Sequence, residues 1–105
     1  MCVKDVVIQN QVGLHARPAT FFIQKANEFK SLITIAKEER KVNAKSLLGV
    51  LSLGITKGTT ILVSADGSDE QEALDALEAL VMSNFVDVVW FLFNLHRYSV
   101  KVIFL

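Results

Sequence analysis

The stretch Gly13-Leu14-His15-Ala16-Arg17-Pro18-Ala19 pins the start of a helix and sets a histidine at its mouth. Pro18 has φ held near the helical value and no N–H to donate, which a helix tolerates only among the first-turn amides that lack intrahelical partners. The helix therefore begins at about Ala16. Gly13 can take a positive φ that a side chain would penalise, so the chain can turn sharply there and present His15 outward. Downstream, apolar residues at 16, 19, 22, 23, 26 and 29 follow one face of a 3.6-residue period and predict a helix from Ala16 to Phe29.

Working outward, Val3 to Gln9 is rich in β-branched residues and bounded by Asn10-Gln11, which reads as a strand. Leu32–Ala36 and Lys41–Asn43 form a second and third strand around the charged turn Lys37–Arg40, which lacks an Asn-Gly signal and so leaves its turn type open. Ser46 is suited to cap a short apolar helix, Leu47 to Leu53, ending at Gly54. Thr59 to Ala65 is a fourth strand, closed by Asp66-Gly67. Ser68 or Asp69 can cap a last helix through Phe85, with an apolar stripe at 73, 74, 77, 80 and 81 opposite acids at 70, 72, 75 and 78. The order β-α-β-β-α-β-α predicts an α+β fold of two layers, with helices packed on one face of an antiparallel sheet.

The chain has 105 residues, room for one domain with one core. Its 11 Lys and Arg balance 11 Asp and Glu, and no basic run forms a stripe, which argues against direct nucleic-acid binding. Cys2 is the only cysteine, so an intrachain disulfide and a multi-cysteine metal site are excluded. His15 and His96 show no ligand-like spacing, so no metal site is expected, and no cofactor either. No apolar segment with a cleavage site opens the chain, which leads to an expectation of a cytoplasmic protein.

The placement of His15 at a helix start carries a specific chemistry. Unpaired first-turn N–H groups and the positive end of the helix dipole can cradle a phosphate there, with Gly13, Ala16 and Pro18 shaping the backbone. Arg17 adds a permanent cation able to make charge-assisted bonds to phosphate oxygens. A His-x-Arg pair alone is most often a loop histidine beside a surface arginine. Gly13 and Pro18 turn the balance towards a histidine that accepts and releases a phosphoryl group.

This segment, followed by Val42-Asn43-Ala44-Lys45-Ser46-Leu47-Leu48-Gly49 and Ser52-Leu53-Gly54, resembles HPr, the histidine-containing phosphocarrier family of the bacterial phosphoenolpyruvate-dependent sugar phosphotransferase system, Gram-positive type. The resemblance covers about residues 1 to 85. It implies an open-faced sandwich with a four-stranded antiparallel sheet and three helices on one face. It also implies a carrier without enzymatic turnover of its own, in which enzyme I phosphorylates Nδ1 of His15 and His15 passes the group to sugar-specific enzyme II A components. Ser46 becomes a target of HPr kinase/phosphorylase, with the catabolite control repressor as a further partner of the phosphoserine form. Leu47, Leu48 and Leu51 become a docking patch beside His15, and the protein is expected to be a monomer.

Bland readings stand next to these. Ser46 alone is an ordinary helix cap, and three leucines within five residues cannot all face one way on a short helix, so some belong to the core. A purely regulatory HPr-like module, a corepressor after phosphorylation of Ser46, is the alternative function. Such paralogues typically lack the active histidine, which this chain has.

Two features depart from the family. Position 12 is Val, where a small polar residue usually stands beside the phosphoryl site, so transfer kinetics are expected to differ without loss of function. Residues 86–105 form an atypical apolar extension. Its longest apolar run, Val88 to Phe93, is too short to span a bilayer and charged residues interrupt the rest. A translated extension with no selected role is the first reading of it, an extra packed element the second, and a membrane contact the third.

Overall fold

The computed structural model describes residues 1–11, 13–83 and 85. The expectations for Val12 and for the extension 86–105, His96 included, lie outside the described residues. The elements are β1 (Cys2–Val7), α1 (Ala16–Asn27), β2 (Leu32–Lys37), β3 (Arg40–Asn43), α2 (Leu47–Ser52), β4 (Thr60–Asp66) and α3 (Glu70–Met82), in the expected order.

All strand pairs are antiparallel and the sheet order is β1-β4-β2-β3, giving the open-faced α+β sandwich. Alternation decides which residues enter the core. Ile33 and Ile35 on β2 stand opposite Ala65 and Val63 on β4, and Ile61 stands opposite Val6 on β1. All six are buried under the helices, whereas Val3, Leu32 and Leu62, which alternate with them, are exposed on the open face. Lys4 lies in register with the inward Val63, at the sheet edge, and its long stem lets Nζ reach Glu78 of α3 at 2.9 Å.

The helices follow their apolar periods. On α1 the buried residues are Ala19, Phe22 and Ala26, and Phe22 is wholly enclosed. On α3 all five stripe positions, Ala73, Leu74, Leu77, Leu80 and Val81, are buried. Both helices stop earlier than their patterns suggest. α1 ends at Asn27, with Glu28 and Phe29 bonding tightly back to Lys25 and Ala26. α3 ends at Met82 rather than continuing through Phe85: Phe85 adopts φ +66°, bonds back to the Leu80 carbonyl at 2.8 Å, and is buried. Burying Phe85 against the core outweighs one more helical turn.

The β2–β3 turn is made by Glu38 at φ +56°, a left-handed residue with no glycine or asparagine to announce it. Asp69 occupies the N-cap position of α3 but its side chain makes no cap bond. It accepts instead from the Lys30 N–H (2.8 Å), the Ser31 N–H (3.0 Å) and the Ser31 hydroxyl (2.5 Å), tying the turn after α1 to the start of α3. The Ser31 hydroxyl, then the Lys30 and Ser31 amides, hold the Asp69 carboxyl below its ordinary value.

Candidate functional site

His15 is the N-cap of α1, with extended backbone (φ −78°, ψ −176°) and an exposed side chain. Its carbonyl accepts the Ala19 N–H at 2.8 Å, the first intrahelical bond, while its ring makes no capping bond and stays outward. Pro18 lies in the first turn, where its missing N–H has no cost. Ala16 opens the helix and its carbonyl accepts from the Thr20 hydroxyl at 2.7 Å.

What aims His15 is the turn before it. Gly13 takes φ +63°, and any Cβ there would collide with the Ile55 carbonyl oxygen and come within 2.7 Å of Thr56 Cα. That close approach lets the Leu14 N–H donate to the Ile55 carbonyl at 3.0 Å, with Leu14 buried behind the exposed histidine. Asn10 closes the turn from the other side: its carbonyl accepts the Gly13 N–H at 3.2 Å and its Nδ2–H donates to the Gly13 carbonyl at 2.8 Å. Sequence reading missed Asn10. An asparagine three residues before a glycine was the available signal, since asparagine side chains commonly close turns onto nearby backbone.

Leu14, His15, Ala16, Leu51, Gly54, Ile55 and Thr56 line an open depression of about 420 Å³. The structure thus brings His15 and one of the three expected docking leucines to one surface. Val50, between them on α2, is fully buried, and Leu51 is half-buried against the core. Leu47 and Leu48 are exposed, Leu48 at 81%, but are not among the lining residues of the depression. Arg17 is exposed and its guanidinium carbon lies 5.9 Å from the centre of the Phe21 ring, within reach of a cation–π contact.

Ser46 is the N-cap of α2, and its hydroxyl accepts the Gly49 N–H at 3.2 Å. The far end of α2 is held from the β2–β3 hairpin. Arg40 donates to the Ser52 carbonyl (2.7 Å) and hydroxyl (3.1 Å), and Lys37 Nζ donates to the Leu53 and Gly54 carbonyls. Gly54, at φ +60°, then leads into Ile55 and the wall of the depression. Among the described residues no cluster of three or more His, Cys, Asp or Glu could hold a metal ion, and no helix is long and apolar enough to cross a membrane.

The protein is a small open-faced sandwich that carries an exposed histidine on a helix N-cap, beside a shallow apolar depression and a capped second helix. A profile of the PTS-HPr family, described as the PTS HPr component phosphorylation site, matches residues 3–83. The chain is 49% identical over 81 residues to the HPr-like protein Crh of Halalkalibacterium halodurans, a match covering 77% of this chain and 96% of the relative. It is 42% identical over 85 residues to the phosphocarrier protein HPr of Cupriavidus necator, covering 81% and 96% respectively. The crystal structure of HPr-C-His from Thermoanaerobacter tengcongensis superposes with a TM-score of 0.80 at 47% identity, covering 81% of this chain and 96% of that one.

The chain belongs to the HPr family of phosphocarrier proteins, which are carriers rather than enzymes. Family membership brings with it the phosphotransferase system and carbon catabolite regulation as the setting in which such proteins work.

Proposed function

We propose that this protein carries a phosphoryl group on His15, taking it from phosphorylated enzyme I and delivering it to enzyme II A components. The observation that carries the reading is the exposed His15 ring at the N-cap, with the N-terminal end of α1 behind it and the apolar depression beside it. In the transfer the Nδ1 lone pair of His15 attacks phosphorus as the N–P bond on the donor histidine breaks. Arg17 and the first-turn amides balance the charge of the phosphate oxygens without a metal, and the group stays transferable because it is oriented and not buried. The carrier domain is residues 1–85. In this reading it works as a monomer in the cytoplasm.

Ser46 is in this reading a regulatory site for HPr kinase/phosphorylase. Its hydroxyl already accepts from the Gly49 amide, and a phosphate would offer that amide a stronger acceptor. The added charge would act on partners that approach over Leu47, Leu48 and Leu51, through repulsion and desolvation. The catabolite control repressor is the partner that would read the phosphoserine form.

Incubation with phosphoenolpyruvate and enzyme I is expected to label the wild type with a phosphate that is labile to acid and stable to base, and to leave His15→Ala unlabelled. Labelling of His15→Ala would overturn the assignment. Similarity to an HPr-like protein Crh favours the second reading, a purely regulatory module acting after Ser46 phosphorylation. Absence of transfer by the wild type, together with repressor binding lost in Ser46→Ala, would establish that reading instead.

A further inference from the structure

Asn10 is only 9% exposed and sits at the end of the segment that follows β1. Its amide nitrogen and its backbone carbonyl both engage Gly13. The Gly13–Leu14 peptide is therefore held at both of its polar atoms: Asn10 Nδ2 takes the carbonyl oxygen, and the Ile55 carbonyl takes the N–H. His15 is the next residue but one; its carbonyl joins the helix through the Ala19 N–H, but its side chain makes no capping bond to fix the ring. The orientation of that single peptide plane sets the direction in which the chain delivers His15 to the helix start.

The same side chain also bears a cost. Asn10 Oδ1 is buried, and among the described residues no donor reaches it. A lone buried acceptor is unfavourable; an apolar residue at position 10 would remove it but would leave the buried Gly13 carbonyl without its donor, a comparable penalty, and would lose the hydrogen bond between them. The two penalties offset, and what asparagine adds to stability is the one hydrogen bond to Gly13. What the amide does that no apolar side chain of the same size can do is grip the Gly13 carbonyl.

We propose that Asn10 is a positioning residue for phosphoryl transfer, acting through the Gly13–Leu14 peptide to keep His15 aligned with an incoming phosphohistidine. This rests on the reading of His15 as the phosphoryl acceptor. Transfer rates fall steeply with sub-ångström to ångström misplacement of the reacting atom, whereas docking depends on the surface around it. The effect belongs in the maximal transfer rate and not in half-saturation, because Asn10 itself neither lines the depression nor belongs to α2, whose leucines stay in place.

The test is single-turnover transfer from phosphorylated enzyme I to the full chain over a range of donor concentrations. It compares wild type, Asn10→Ala, Asn10→Leu, which keeps the side-chain size, and Asn27→Ala as a control. Asn27 makes the same kind of bond, Nδ2–H to the Ile23 carbonyl at 2.9 Å, at the opposite end of α1. Both Asn10 variants are expected to lose about tenfold or more in maximal rate with half-saturation unchanged, given the sensitivity of transfer to alignment. Faster hydrogen exchange at the Leu14 amide should accompany the loss, while Asn27→Ala transfers as wild type does. Wild-type rates in Asn10→Leu, or a loss confined to half-saturation, would overturn the role of Asn10. Wild type that takes no phosphate on His15 would overturn the reading of His15 first, and this inference with it.

Discussion

Gly13 and Gly54 share nearly the same backbone conformation, φ +63° and +60°, but differ in what surrounds them, and this makes them a matched pair. An alanine forced into the left-handed region costs about 1–2 kcal/mol. At Gly54 a Cβ would meet nothing within 4 Å, so Gly54→Ala should show that cost alone. At Gly13 the Cβ would press on the Ile55 carbonyl and on Thr56 Cα at 2.7 Å, so backbone must move. The first bond to break is Leu14 N–H to Ile55, which strands a buried donor at a further cost of about 1–3 kcal/mol. Gly13→Ala should thus lose about 2–5 kcal/mol in all, with each kcal/mol lowering the melting temperature by roughly 4–8 °C in a domain of this size. Urea unfolding followed by circular dichroism measures both losses, and amide shifts in Gly13→Ala should concentrate at residues 13–16 and 55–56. Equal losses in the two variants would refute the argument that Gly13 is required by close approach rather than by its φ alone.

Asp69 makes the pH dependence of stability testable. Its folded pKa lies below the ordinary 3.8, so between the two values the unfolded chain binds a proton that the folded chain does not. The stabilisation is therefore complete above about pH 4 and is lost as pH falls through the depressed folded value. Asp69→Asn should flatten the acid limb of a stability–pH curve, and parallel curves would contradict the clamp on Ser31. Ser46→Ala should destabilise by about 1 kcal/mol through loss of the cap, measured by urea unfolding. Ser46→Asp should restore the cap while slowing transfer from phosphorylated enzyme I, and equal stability in Ser46→Ala and wild type would deny the cap its role.

Much of this fold was legible because the relevant physics is local. Pro18 is tolerable only in a first turn, so the start of α1 at Ala16 followed from one residue. The α3 stripe at 73, 74, 77, 80 and 81 is an unbroken 3.6-residue pattern, and every one of those side chains is buried. Ser46 was readable as a cap because a hydroxyl followed by a short apolar run has few other local uses. Helix ends were less legible. Phe29 and Phe85 fit the apolar period, yet a buried ring can be supplied by a residue just beyond a helix as well as by one within it.

Other features have no local signature at all. Asp69 has the right residue type for a cap, but the nearby Ser31 and Lys30 amides compete for the same carboxylate and win. Glu38 turns the β2–β3 hairpin in a conformation its side chain does not advertise. Of the leucines, Leu51 joins His15 at the depression while Leu47 and Leu48 do not line it, a partition set by how α2 is rolled against the core through Val50.

By itself the sequence determined the elements, the core faces, the place of His15 at a helix start and the family to which those motifs belong. These depend on spacing, on capping chemistry and on the constraints of glycine and proline, all of which act within a few residues. Only the tertiary structure decided the strand order β1-β4-β2-β3, the seat of Gly13 against Ile55 and Thr56, and the grip of Asn10 on the turn that aims His15. Alternation tells a strand which side to bury but not which neighbour to take. A backbone packed against a distant backbone leaves no pattern in either stretch.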